Sequence, residues 1–249
     1  MTKDTKPTRE TVRLATLLSK KATVSPFVFW IVGDTPLITN AWSKKAKFEI
    51  LAKHLKATKP GKEIRNPEQE FTDSLYEMGE NTGKYGFPAM GIKKCIVNAA
   101  HKDKGINKTT TMQALWLNGD MHRVKTAHAG AICDMPLLRI YGSDPLMRED
   151  PTRIGGMNKT AALAYRGQFT VWGMRVTGRM NISILSLENL AFLIQEAGVA
   201  YGAGEWRNER AGMFGAFHMA TPDEEVEWEA YASGEGELPL PEAYRQAAE

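Results

Sequence analysis

Apolar positions alternate two kinds of spacing along this chain. In SPFVFWIVGDTPLIT (25–39) they form a dense β-type run broken by Gly33-Asp34, a turn signal. Ser43 then opens a helix whose apolar residues Ala46, Ile50, Leu51 and Leu55 share one face, with Lys44, Lys45, Lys47, Lys53 and Lys56 around the rest. Residues 56–70 form a charged loop with proline and glycine. YGFPAMGIKKCIVNAA (85–100) joins an extended aromatic-Gly-Pro turn to a helix from Gly91 to His101. Ile92, Cys95, Ile96, Ala99 and Ala100 fall on its apolar face, and Lys93, Lys94 and Asn98 on the polar one.

Asn118-Gly119 lies between two alternating runs and predicts a two-residue hairpin. MPLLRIYG (135–142) reads as a strand. Residues 143–162 carry two prolines and two adjacent glycines and read as a long loop, too long for a plain connection. Residues 164–185 read as strand, bend, strand, with Arg166, Arg175 and Arg179 spaced along them. Ser186 caps a helix over 187–197 that ends at Gly198, and a last strand spans 213–219. The order predicts an α+β fold with a ferredoxin-like (RRM-like) βαββαβ core and long insertions. The expected divisions are an N-terminal arm (1–24), one domain (25–220) and an acidic C-terminal tail (221–249).

Composition adds a charge asymmetry. The net charge is +3, yet residues 221–249 hold nine acids and one base. The tail is therefore −8 and the remainder +11. A basic body beside an acidic tail suits a polyanion-binding surface. The tail is expected to be loosely attached and either to compete for that surface or to solubilise the chain. No apolar run is long enough to span a membrane and no signal core is present. Cys95 and Cys133 read as buried thiols of a cytoplasmic protein.

Motifs for catalysis are missing. There is no HExxH, CxxC, GxSxG or GxxxxGK[ST], and no cofactor is expected. His122, His128, Cys133 and Asp134 lie close together but suit hairpin and core positions better than a metal site. Asp34, Asp73 and Asp120 sit in turn contexts. A metal-dependent nuclease built on them stays an alternative without support from spacing. The positive features are the two lysines opening the helix after Pro88, where the helix dipole disfavours cations, and the glycine-rich run 198–215. That run follows a helix and precedes a strand, the reverse of a dinucleotide turn. Its Trp206, Arg207 and Arg210 suit base stacking and phosphate contact on a single strand.

Three segments in order, GDTPLIT ahead of a basic helix, YGFPAMGIKKCIVNAA, and GVAYGAGEWRNERAGMFGAF, resemble the RAMP superfamily, which includes the Cas7-type backbone subunits of CRISPR complexes. Over most of its length the chain also resembles uncharacterised bacteriophage proteins. The glycine run departs from the superfamily's purer Gly-Arg pattern, and the acidic tail is added. The resemblance implies a nucleic-acid groove lined by the lysine helix, with Lys93 and Lys94 on phosphates. It also implies a thumb-like insertion at 143–162, with Met147 as a wedge and Arg148 and Arg153 as phosphate ligands. Lys44, Lys45, Asn98, Arg166, Trp206, Arg207 and Arg210 complete the expected surface. The expected function is non-enzymatic binding of single-stranded RNA or DNA, with self-association into a helical or filamentous oligomer along the strand. The alternatives are a phage accessory that binds or anneals single-stranded DNA in recombination, and a protein-interaction module acting on a host complex.

Overall fold

The computed structural model describes residues 23–55, 65–101, 105–128, 130–154 and 160–240. Strand β1 (Val24–Gly33) is central. Phe27, Phe29 and Ile31 face one side and Trp30 and Val32 the other, and both sides become buried toward its end. Three short strands follow β1 in the chain: β2 (Leu37–Thr39), β3 (Tyr76–Glu77) and β4 (Tyr85–Pro88). Helices α1 (Lys44–His54) and α2 (Pro67–Asp73) separate β2 from β3. Then come α3 (Ala89–Ala99), α4 (Lys108–Ala114), β5 (Leu115–Leu117), β6 (Asp120–Arg123), β7 (Asp134–Arg139), β8 (Tyr141–Gly142), β9 (Leu146–Ile154), β10 (Thr160–Phe169) and β11 (Trp172–Asn181). Helix α5 (Leu187–Glu196), β12 (Phe217–Met219) and α6 (Pro222–Ser233) complete the order.

The protein is mixed α and β with antiparallel sheets. The main sheet runs β12-β1-β11-β5, with β8 also on β11. Val24 pairs with Asn181 and Val32 with Gly173. Helices α3 and α5 cover one face: Ile92, Ile96, Leu193 and Ile194 are buried against Phe29, Ile31, Met174 and Val176. A second sheet runs β2-β10-β9 and a third β3-β4-β7-β6. Among the described residues no helix is long and apolar enough to cross a membrane.

Four expectations change. Asn118-Gly119 makes no hairpin, because β5 pairs with β11 and β6 with β7. The Asn118 amide still donates to Thr177 of β11 at 2.8 Å, and Asp120 already faces Leu137. A tight hairpin needs positive φ at both turn residues, and neither has it. Glycine is needed there for closeness: a Cβ on Gly119 would lie 3.0 Å from Pro136. The described part of 143–162 is mostly strand rather than loop. Leu146–Gln168 pairing continues to Ile154–Thr160, with Pro151 tolerated because β9 is an edge strand. Helix α1 buries Ala52, while Ile50 and Leu55 are exposed, so its expected inward face is not one.

The acidic segment is not loosely attached over its described part. Thr221 and Glu224 form a capping box, Pro222 starts α6, and three acids fill a first turn whose dipole favours them. Trp228 is 1% exposed, on the face of the main sheet opposite α3 and α5. Its ring lies 5.8 Å from that of Trp30 and 6.0 Å from that of Tyr231. Glu229 accepts hydrogen bonds from Trp30 Nε1 (2.9 Å) and Arg175 Nε (2.7 Å). Burial pushes the Glu229 carboxyl up, but those two donors outweigh it and hold it below the usual carboxylate range. Residues 1–22 of the expected arm and 241–249 of the tail lie outside the described residues.

His218 on β12 ties this helix to the β1–β2 turn. Its Nδ1 is 2.6 Å from Asp34 Oδ1 and its Nε2 is 3.2 Å from both Glu224 oxygens. The Asp34 hydrogen bond above all, opposed by partial burial, raises the imidazole from 6.5 to about 8. Folding therefore favours the protonated ring. The contribution, about 2 kcal/mol from the size of the shift, is complete below pH 6.5 and is lost as pH rises through 8. Urea midpoints measured at pH 6 and pH 9.5 should fall accordingly in the native chain, and the fall should shrink in His218→Gln. An equal fall in both proteins would remove this assignment.

Candidate nucleic-acid interface

The stretch Tyr-Gly-Phe-Pro builds one wall of a cleft. Pro88 stands at the N-cap of α3 with no side-chain cap. The Phe87 ring folds back over the first turn, so close that a Cβ on Gly91 would lie 2.8 Å from it. Lys94 and Asn98, one turn apart, line the cleft. Lys93 does not join them. It points about 100° away around the helix, with its ammonium 6.0 Å from the ring centre of Trp116 on β5. The two lysines thus diverge instead of meeting one groove.

The glycine run builds the opposite wall. Helix α5 does not stop at Gly198 but passes into a single π-turn, Ala197–Tyr201. The loop that follows is tied to β2 by Glu205 N, which donates to Ile38 O at 2.9 Å, and to its own far side by Ala203 N, which donates to Gly215 O at 2.7 Å. Gly204 has φ +77°, and a Cβ there would lie 2.3 Å from the Ile38 carbonyl oxygen. Trp206 holds φ +53° although it is not glycine, and its indole is 40% exposed. A bulky residue in the left-handed region costs about 1–3 kcal/mol, so the surrounding loop over-determines it. The Phe214 amide donates to the Trp206 carbonyl at 3.1 Å, which closes the lobe.

Between the walls lies a cleft of about 170 Å³. Arg207 gives Nε and NH2 to Glu209 Oε2 (2.9 and 2.7 Å) and NH1 to Gly204 O (2.8 Å). Asn98 Nδ2 donates to the other Glu209 oxygen at 3.2 Å, so Glu209 links the two walls. Asn40 and Tyr76 also line the cleft, and Asn40 Nδ2 donates to Glu205 Oε1 at 3.3 Å. The Cys95 thiol donates to Gly202 O at 3.0 Å, and burial pushes it up to about 11, so it clamps the loop and is a poor nucleophile.

Other expected residues stand elsewhere. Arg148 on β9 stacks over Phe214 at 4.5 Å and donates to Asp150 (2.8 Å) and Gln168 (2.9 Å). This brings the root of the β9–β10 arm to the end of the glycine loop. Arg166 lies opposite Arg148 and gives NH1 to the buried Asp150 at 3.4 Å, while its Nε is buried without a partner. Both arginines serve this carboxylate first. Met147 is 48% exposed on the arm, and Arg210 is exposed in the short 3-10 turn Asn208–Arg210. Lys44, Lys45 and Arg153 lie within α1 and β9, but their side chains are outside the described residues. Sequence reasoning missed Asn40, Tyr76, Glu205 and Glu209. Glu209 sits in an Asn-Glu-Arg run that reads as plain surface charge, and nothing local marks Asn40 or Tyr76. Among the described residues no three His, Cys, Asp or Glu are grouped to hold a metal. The chain matches no protein-family model and no curated protein sequence.

Proposed function

We propose that this protein binds single-stranded nucleic acid without catalysing a reaction on it, and assembles side by side along the strand. The observation that carries the reading is the cleft itself. Lys94 and Asn98 on a helix are set across from Arg207 and the backbone of a glycine loop, Asn98 and Glu209 being 111 residues apart in the chain. The cations meet phosphate, and the strained, half-exposed Trp206, next to Arg207 in the loop, offers a stacking face. The core is read as ferredoxin-like: strands β1, β5, β11 and β12 alternate with α3 and α5 and stand in the order last, first, third, second. The outward Leu146, Met147 and Leu163 of the β9–β10 arm suit contact with a neighbouring subunit.

The test is a salt titration of binding to 20-nucleotide RNA and DNA. Lys94→Ala should reduce the slope of log affinity against log salt by about one, as expected for one phosphate contact. Lys93→Ala, directed at Trp116, should change it less. Equal slopes in the native chain and Lys94→Ala would remove the cleft from the binding surface. Absence of binding to either polymer at low salt would overturn the function.

A further inference from the structure

Helix α6 covers only one end of its face of the main sheet. Glu229 closes that end over the cross-strand pair Trp30 and Arg175. Two-residue steps along a strand keep the same face, so Val28 and Pro26 on β1 and, opposite them, Thr177 and Arg179 on β11 continue it beyond the helix. Val24, Pro26, Val28 and Arg179 are exposed there. Trp116, on the edge strand β5, stands directly opposite Arg179 in its turn, and its indole is 60% exposed. Side chains opposite each other in an antiparallel pair are about 5 Å apart at Cβ, so the indole and the arginine are neighbours. Among the described residues the Arg179 side chain has no ion pair or hydrogen bond. Lys93 reaches the same indole from α3, its ammonium 6.0 Å from the ring centre. Lys94, the next residue, lines the cleft, so one turn of α3 joins the two surfaces.

We propose that this open row, Trp116–Arg179–Pro26, is a second contact for the single strand, with Trp116 stacked on a base and Arg179 on an adjoining phosphate. The inference rests on the reading of a single-stranded partner, and not on the geometry of the cleft. A nucleotide combines a flat apolar base with an anion. An exposed indole beside an unpaired guanidinium meets both halves, and every base offers the ring a π-face. Charge argues against an apolar partner here: covering the face with one would strip water from Arg179 and Lys93 without pairing either. Continuity argues for the strand. The two lysines that open α3 diverge, and each then has a place on one path, Lys94 at the cleft and Lys93 beside the indole.

Fluorescence anisotropy with an oligo-U 15-mer and an abasic oligomer of the same length and charge separates stacking from phosphate contact. Trp116→Ala is expected to weaken oligo-U binding about tenfold, the loss of one stacked base. It should leave the abasic oligomer nearly unchanged, and Trp116→Phe should keep most of the oligo-U affinity. Arg179→Ala should weaken both oligomers and lower the slope of log affinity against log salt by about one. Equal losses on the two oligomers in Trp116→Ala, or no loss on either, overturn the stacking role. A change from oligomer to monomer in Trp116→Ala, seen by sedimentation without nucleic acid and with the oligo-U to abasic ratio unchanged, gives the face to a neighbouring copy and overturns the proposal as well. A tenfold loss in Trp116→Ala beside unchanged binding in Lys94→Ala supports this face and overturns the cleft. Absence of binding by the native chain overturns both.

Discussion

Trp228→Ala is expected to bring the whole protein close to unfolding, although the residue lies in a segment with nine acids to one base. Its indole is buried, sandwiched between Trp30 and Tyr231 over the sheet face that α3 and α5 leave open. Gly173 makes room for it, because a Cβ there would lie 2.9 Å from the ring. Truncation loses the transfer free energy of the indole and leaves a cavity, together about 3–5 kcal/mol. Domains are commonly stable by only 5–15 kcal/mol, so the loss is a large share of the total. The urea midpoint should drop sharply, and less in Trp228→Phe. An unchanged midpoint in Trp228→Ala would mean that α6 adds nothing to the core.

Gly198→Ala is expected to damage both the fold and the cleft. The alanine Cβ would lie 1.7 Å from the Phe217 carbonyl oxygen, a backbone atom that cannot move alone. Relief requires β12 or the π-turn Ala197–Tyr201 to shift, and that turn leads directly into the cleft wall. Overpacking of this kind costs about 3 kcal/mol at its upper range. Thermal unfolding should report the loss, and the oligonucleotide affinity of the variant that remains folded should fall as well. Val199→Ala, one residue on and 69% exposed, is the control expected to leave both unchanged. Equal melting temperatures for Gly198→Ala and the native chain would show that the close approach is not retained in solution.

Local signals were legible where local physics decides. The helix after Pro88 is recovered with its buried Ile92, Cys95 and Ile96, and Ser186 caps α5 as its position before the apolar run implies. The signals failed where a distant partner decides. Asn118-Gly119 has the letters of a hairpin, yet β11 and β7 claim the strands on either side. Pro151 reads as a loop residue because proline cannot donate, but an edge strand asks no donation of it. The lysine pair was read as one face, whereas adjacent helical residues diverge, and the tertiary structure sends Lys93 toward Trp116 and Lys94 into the cleft. Arg207 was singled out by its place beside Trp206 in the glycine-rich run, and the structure sets it in the cleft lining. The Glu209 that orients it and the Asn40–Glu205 pair were not singled out, because each works through a residue brought in from another part of the chain.

The placement of β1 at the centre of the main sheet also sets an order of events in synthesis. Val24–Gly33 leaves the ribosome well before its two neighbours, residues 173–181 and 217–219. Until those emerge, a strand holding Phe27, Phe29, Trp30 and Ile31 has both edges unpaired and its apolar faces wet. Loop closure over such distances is slow, and unpaired apolar strands are what nascent chains aggregate through. Chaperone demand during expression should therefore track how long β1 waits, and slowing translation between β1 and β11 should lower the soluble yield.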